Sequence, residues 1–313
     1  MREGMRVLVT GGAGFIGSHI VDRLLASGHE VSVLDDLSSG KRENVAAGAK
    51  LYVCDLRDRE GVSRVLAEAR PEAVTHQAAQ ASVAISVRDP KSDAETNVVG
   101  GINLADACVA VGVKRFVFAS TGGAIYGEVP PGQRAKESTV PVPVSPYAIH
   151  KLCFEQLLGV YERHRGLPVS VLRYANVYGP RQDPHGEAGV VAIFFNLIRE
   201  GRPLLINAMS KPGDDGCVRD YVFVHDVVSM NVLALTGQIK EPVVNVGTGQ
   251  PTTTRALARV ILNVAGREVP MEDRPTRVGD VQISLLDPTL PERYLGSLTG
   301  LEAGLAATAT GFR

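Results

Sequence analysis

The sequence predicts an α/β fold, a doubly wound parallel sheet followed by a smaller α/β part. Three observations carry this reading. Strand-like and helix-like segments alternate through the first half of the chain. The strand-like runs are almost continuously apolar, as strands covered on both faces must be. A glycine-rich turn joins the first strand to the first helix. In order, residues 7–9 read as a buried strand. Residues 15–27 read as a helix with Ile16, Ile20, Leu24 and Leu25 near helical spacing. Strands follow at 30–34, 50–53, 73–76, 115–119 and 168–173. Helices are expected at 61–69, 93–111 and 145–164. Beyond residue 175 the pattern loosens into loops rich in Gly, Pro and Asp, with one more strand at 243–246.

Composition bounds the function. At ~150 residues per domain, 313 residues make about two domains. Hydrophobic residues at 44% and charged residues at 21% exclude a mainly disordered chain. A net charge of −1 gives no global positive field for nucleic acid or an anionic membrane. No apolar run reaches the ~18 residues of a membrane span. Cys54, Cys108, Cys153 and Cys217 show no C-x-x-C spacing, so neither a zinc knuckle nor a redox pair is expected. Isolated thiols and the lack of a signal-peptide pattern suit the cytoplasm.

The first strand runs into Gly11-Gly12-Ala13-Gly14-Phe15-Ile16-Gly17. Glycines at this spacing permit a tight turn, backbone approach to a pyrophosphate, and close packing of helix on strand. The helix N-terminus then faces the anion. Asp35 and Asp36 end the second strand. A carboxylate there accepts bonds from ribose hydroxyls and repels a 2′-phosphate, which favours NAD over NADP. Tyr147 and Lys151 lie four apart at the start of a helix, with Ser145 as N-cap and Pro146 as first residue. They share a face. An ammonium beside a phenol favours the phenolate and suits it to acid–base work. Ser120 and Thr121 end the fifth strand and offer a hydroxyl to the same substrate oxygen. His225-Asp226 reads as a helix start rather than a dyad, and His185 as a loop residue without metal partners.

Together these residues resemble the extended short-chain dehydrogenase/reductase family of NAD-dependent nucleotide-sugar enzymes, and within it the UDP-glucose 4-epimerases. The carriers are the glycine loop, Asp35, Asp55, His76-Gln77-Ala78-Ala79, Asn97, Ser120-Thr121, Tyr147 with Lys151, and Arg173 to Pro180. The resemblance implies a Rossmann domain over 1–175, completed by about 222–248. A substrate-binding domain would then take 176–221 and 249–313. It implies that Gly11, Gly14, Phe15, Ile16, Gly17, Asp35, Asp36, Asp55, Leu56, Ala78, Ala79, Gln80, Asn97, Tyr147, Lys151 and Tyr174 hold NAD, with Asp55 at the adenine. For the UDP-sugar it implies Thr121, Tyr147, Asn176, Arg219, Arg277, Asp280 and Ser284. The family's catalytic hydroxyl falls at Thr121 or Ser120, with Thr121 preferred.

The implied reaction is 4-epimerisation by transient oxidation at C4, in galactose metabolism, by a homodimer joined through helices near 93–111 and 145–164. UDP-glucuronate epimerases, 4,6-dehydratases and decarboxylases are the rivals in the family. Dehydratases carry acidic residues after the threonine, where this chain has Gly122 and Gly123. A silent NAD-binding protein is the rival from another class, and it predicts loss of Tyr147, Lys151 or the hydroxyl. Ser284 stands where a bulky tyrosine would exclude N-acetylated sugars, so room for UDP-N-acetyl-hexosamines is expected. The family's C-terminal Trp-Pro segment is missing, for the chain has no Trp.

Overall fold

The computed structural model describes residues 4–185, 189–277 and 281–312. The apolar runs form β1 (Arg6–Thr10), β2 (Glu30–Asp35), β3 (Lys50–Val53), β4 (Ala73–His76), β5 (Arg115–Thr121) and β6 (Val169–Tyr174). Short strands β7 (Asn176–Tyr178), β8 (Leu204–Asn207), β9 (Val218–Arg219) and β10 (Tyr221–Phe223) follow. The chain then enters β11 (Val243–Val246), β12 (Thr252–Thr253), β13 (Met271–Arg274) and β14 (Ile283–Ser284). Seven strands form one sheet in the order β11-β6-β5-β4-β1-β2-β3. Neighbours from β3 across to β5 are parallel. This is the doubly wound architecture expected from the alternation. The order reverses between β1 and β4, where such sheets receive ligands at the carboxyl ends of their strands.

The helices of the first half are α1 (Phe15–Ala26), α2 (Arg59–Ala69), α3 (Val83–Arg88), α4 (Pro90–Ala94), α5 (Gly100–Val111), α6 (Gly122–Ile125) and α7 (Pro146–Arg165). The single helix expected over 93–111 is three pieces. Between α4 and α5 the backbone widens into a π-turn at Glu95–Val99. Such turns insert a residue and re-aim side chains, often at functional sites. Asn97 sits in it. The short helix α3 escapes the periodicity argument because one and a half turns carry too little pattern; Ser82 caps it, accepting from the Ile85 N–H. The expected helix start at 145 is found. Ser145 accepts from the Ala148 N–H at 3.3 Å and Pro146 opens α7.

The chain divides into two compact units. One holds residues 1–121, 145–173 and 228–244; the other holds 122–144, 174–227 and 245–313. Residues 122–144, assigned to the first domain in the sequence reading, pack with the second unit. The core of the first unit lies between the sheet and α2, α5 and α7. Leu8, Leu34, Val74, Leu104, Phe116, Phe118, Phe154 and Leu158 are buried there. Phe154 of α7 meets Phe118 of β5 edge to face at 4.9 Å. A Cβ on Gly101 would come within 2.7 Å of the Phe154 ring, so α5 and α7 approach at a glycine. Burying each such ring or leucine stabilises the unit by roughly 1.5–3 kcal/mol, which seats α7 firmly on β5.

The second unit continues with α8 (Val190–Arg199), α9 (Val224–Leu235), which runs on into the first unit, α10 (Thr254–Ala265), α11 (Thr289–Leu295) and α12 (Leu301–Ala309). His225 and Asp226 lie in the first turn of α9, as a helix start. The Ala-rich tail is helical, with Gly304 packed on the Tyr178 ring.

Candidate active site

The glycine loop is built on backbone contacts that side chains would destroy. Gly11 has φ +67°, and its N–H donates to the Leu34 carbonyl at 2.8 Å. A Cβ on Gly11 would lie 2.6 Å from the Ala78 N, and one on Gly17 only 2.1 Å from the Gly11 carbonyl oxygen. The loop after β1 therefore touches the loop after β4 through glycine. Helix α1 begins at Phe15 behind Gly14, with no side-chain cap and no acidic residue in its first turn. That N-terminus suits an anion. At the end of β2, Asp35 is 6% exposed. Its Oδ2 accepts from the Ala13 N–H and its Oδ1 from the Leu37 N–H, both at 2.9 Å. Burial pushes its carboxyl up, opposed by those two donors. A Cβ on Gly40 would meet this carboxylate at 2.7 Å, so the approach is open only to glycine. The cradle and acid fit a dinucleotide.

Other expected cofactor residues divide by position. Asp36 is exposed and capped by the Ser38 N–H and hydroxyl. Asp55 is held by Arg57, whose guanidinium pulls its carboxyl below the ordinary range. Leu56 is 5% exposed with its side chain in the core, and its carbonyl accepts from the Asn103 amide at 3.0 Å. Ala78, Ala79 and Gln80 are half-buried after β4. The Ala78 N–H donates to Thr10 Oγ1, and Thr10 Oγ1 shares a 2.7 Å bond with His76 Nδ1. Asn97 donates to the Gln80 carbonyl at 2.8 Å and accepts from the Gln80 N–H at 3.1 Å. Tyr174, 6% exposed, ends β6.

On α7, Lys151 is 3% exposed. Its Nζ donates to the Ala119 carbonyl of β5 at 3.0 Å and lies 5.9 Å from the centre of the Tyr147 ring. Tyr147 is half-buried. Ser120 and Thr121 alternate in direction along β5. Ser120 donates to Glu155, which Arg173 grips through two nitrogens at 2.6 and 3.0 Å. All three side chains are buried. The Ser120 hydroxyl is thus committed to the interior, which leaves Thr121 as the candidate hydroxyl. Glu155 was missed by sequence reading, though it continues the Tyr147, Lys151 spacing by another four residues.

In the second unit three of the expected substrate residues, Asn176, Arg219 and Ser284, meet around Asp220. Asn176 pairs with Tyr221, and Ser284 with Arg219, in the β7–β10 and β9–β14 registers. The Asn176 N–H and side-chain amide both donate to the Asp220 carbonyl. The Asp220 carboxylate accepts from the Thr248 N–H and hydroxyl, the Gly249 N–H and the Leu286 N–H. Burial pushes its carboxyl up, against these donors. Arg219 donates to the carbonyls of Val218 and Gln282. Arg277 is exposed and lines a cavity of about 440 Å³ with Ala208, Met209, Ser210, Cys217, Thr276 and Gln282. Asp280 lies outside the described residues. Among the described residues no cluster could hold a metal ion, and no helix is long and apolar enough to cross a membrane.

A glycine cradle at the switch point of a parallel sheet, with an acid–base tyrosine and its lysine on a neighbouring helix, defines a class. It is that of enzymes which exchange a hydride between a substrate carbon and a nicotinamide dinucleotide. Within that class, the chain belongs to the NAD dependent epimerase/dehydratase family, whose model matches residues 7–247. It is 45% identical to a UDP-glucose 4-epimerase of Mycolicibacterium smegmatis, over 99% of both chains. Among solved structures it is similar to the Thermus thermophilus UDP-glucose 4-epimerase in complex with NAD, at 53% identity, TM-score 0.95 and 99% coverage of both chains. It is also similar to the Thermotoga maritima enzyme with UDP-glucose, at 47% identity, TM-score 0.90 and 98% coverage of both.

Proposed function

We propose that this chain is an NAD-dependent UDP-sugar 4-epimerase that interconverts UDP-glucose and UDP-galactose. The observation that carries the reading is Lys151, buried on α7, tied to the β5 carbonyl two residues before Thr121 and set beside the Tyr147 ring. NAD, when bound, would supply a reversible hydride acceptor for the sugar's C4 carbon. Gly11 to Gly17 and Asp35 hold it. Tyr147 takes the C4 hydroxyl proton and later gives it back; the Lys151 charge favours its phenolate form. Thr121 orients the reacting oxygen. Asn176, Arg219 and Arg277 carry the diphosphate and nucleotide. With Gly122 and Gly123 after Thr121, the segment offers no acid for loss of water, which disfavours the dehydratase.

Ser284 is 3% exposed and donates to the Gly123 carbonyl at 3.1 Å. Its small side chain supports acceptance of N-acetylated sugars as well. The test is parallel incubation with UDP-glucose, UDP-N-acetylglucosamine and UDP-glucuronate, reading the C4 configuration of the products. Inversion of UDP-glucose is expected; failure with all three sinks the reading. Ser284→Tyr is expected to depress N-acetyl activity selectively, and an equal loss on both sugars would reject the gate.

The chain acts as a homodimer in the cytoplasm. Exposed Ile149, Cys153 and Val160 share the outer side of α7, and Val83, Ile85, Val87 and Val99 are exposed on α3 and the π-turn, which pack against α7. Exposed apolar residues on paired helices suit a helical interface. No disulfide joins Cys54, Cys108, Cys153 and Cys217, as suits a reducing compartment. Sedimentation of the purified chain tests the dimer.

A further inference from the structure

Asp93 is a carboxylate with no exposed surface. It lies in α4, immediately before the π-turn. Three donors from three segments meet it. Gln80 Nε2, from the loop after β4, and Asn97 Nδ2, from the π-turn, reach its Oδ1 at 2.5 and 3.1 Å. His150 Nδ1, from α7, reaches its Oδ2 at 2.5 Å. A carboxylate only accepts, so Nδ1 carries the proton in this pair. His150 stands between Tyr147 and Lys151 in the first turns of α7, with its side chain 18% exposed.

The geometry has a direction. Asn97 already clasps the Gln80 backbone at both its N–H and its carbonyl. Gln80 also uses its side chain locally: Nε2 donates to the Ser82 carbonyl and Oε1 accepts from the Ser82 N–H. The loop carrying Ala78 and Ala79 is thereby stiff at its far end, while Gly11 and Thr10 hold its near end. Asn97, in the π-turn, faces Gln80, and Asp93, four residues earlier on the same side, faces the same cluster. The bond from His150 then ties this assembly to the helix that bears Tyr147 and Lys151. Buried polar networks with every member satisfied hold one arrangement, because partial breakage strands a buried charge.

We propose that Asp93 and His150 are positioning residues that lock the Ala78–Gln80 loop to the start of α7, so that NAD affinity and turnover depend on one buried clamp. This rests on the reading of that loop as cofactor-lining and of α7 as the acid–base helix. Neither residue touches the reacting atoms. They act by holding the cofactor loop and the acid–base helix in one relation.

The test exploits the two ends of an imidazole. Asparagine places an amide nitrogen where Nδ1 stands; glutamine places it where Nε2 stands. His150→Ala, His150→Asn and His150→Gln are compared with wild type by NAD calorimetry, well below the melting midpoint, and by kcat and KM with UDP-glucose. Loss of a hydrogen bond to a buried carboxylate predicts NAD binding weaker by about tenfold in His150→Ala. kcat falls with it and the UDP-glucose KM stays. His150→Asn recovers most of the loss and His150→Gln does not. A merely structural role would lower every variant's melting midpoint and leave NAD affinity in place. NAD affinity of His150→Ala within twofold of wild type overturns the proposal, as does a His150→Asn no better than His150→Gln. Should His150→Ala fail to fold, the Asn and Gln variants decide. Wild type that binds NAD but inverts no UDP-sugar defeats the functional reading alone, and the clamp is judged on affinity ratios. Wild type that binds no NAD defeats both.

Discussion

The two compact units build their candidate sites in opposite ways. The first draws on runs of adjacent residues: seven consecutive positions for the glycine loop, and one helical face for Tyr147, Lys151 and Glu155. The second gathers single residues from strands two or three residues long and joins them at Asp220, whose backbone meets Asn176 and Ser284 and whose buried carboxylate holds Thr248, Gly249 and Leu286. Local geometry dominates the first and long-range pairing the second. Damage to the first is therefore expected to stop chemistry, and damage to the second to loosen substrate and structure together.

The largest effect is expected from Tyr147→Phe. It keeps the ring against α7 and removes only the acid–base oxygen. kcat is expected to fall by about a thousandfold, with NAD affinity by calorimetry unchanged. Turnover within tenfold of wild type would remove Tyr147 from the mechanism. Asp220→Ala comes next. It strands the Thr248, Gly249 and Leu286 N–H groups in the interior, at a cost of about 3 kcal/mol or more. Denaturant melts are expected to show that loss, and assays a raised KM for the UDP-sugar. NAD affinity stays, if the units divide their work as proposed. A weakened NAD affinity would erase the contrast.

The same contrast explains what the sequence made legible. Strand positions were visible because parallel strands buried on both faces are apolar at every position, as in Val7-Leu8-Val9. The glycine loop was visible because its demands fall on neighbouring residues. Asp93, His150, Glu155 and the hub role of Asp220 were not. A buried aspartate and a surface aspartate are one letter. Glu155 meets Arg173 across 18 residues and Ser120 across 35, and Asp93 meets His150 across 57. Only the fold closes those distances. The resemblance preferred Thr121 to Ser120, but the physical ground for that choice, which face of β5 each occupies, needed the fold. The π-turn is invisible to a 3.6-residue period because it departs from that period.

His76 offers a smaller effect confined to the first unit. It is fully buried against Phe118 and Phe154, and burial, aided by the Lys151 charge, lowers its pKa to about 3. The folded state holds it neutral while the unfolded chain takes a proton near pH 6.5. Its contribution is complete above that pH and is lost as pH falls from about 6.5 towards 3. The slope is at most ~1.4 kcal/mol per pH unit. His76→Asn retains a partner for Thr10 and removes the titration. Denaturant melts at pH 7, 6 and 5 are expected to show wild type losing stability faster than the variant. Parallel slopes would mean that His76 is protonated in the fold.

The smallest effect is expected at Gly123→Ala. A Cβ there would meet the Asn176 Oδ1 at 3.7 Å and nothing nearer. Nothing in the backbone demands glycine: its φ is not in the left-handed region. Stability is expected to change by no more than about 0.5 kcal/mol. If glycine is there only because no acid is needed after Thr121, turnover of UDP-glucose also stays within about twofold. A KM raised well beyond that, in a variant with an unchanged melt, would show that the bare backbone at Gly123 serves the sugar itself. Asn176 would then be a neighbour of bound substrate at its amide oxygen, and the loosely assembled second unit would own a specificity element as exacting as the glycine loop of the first.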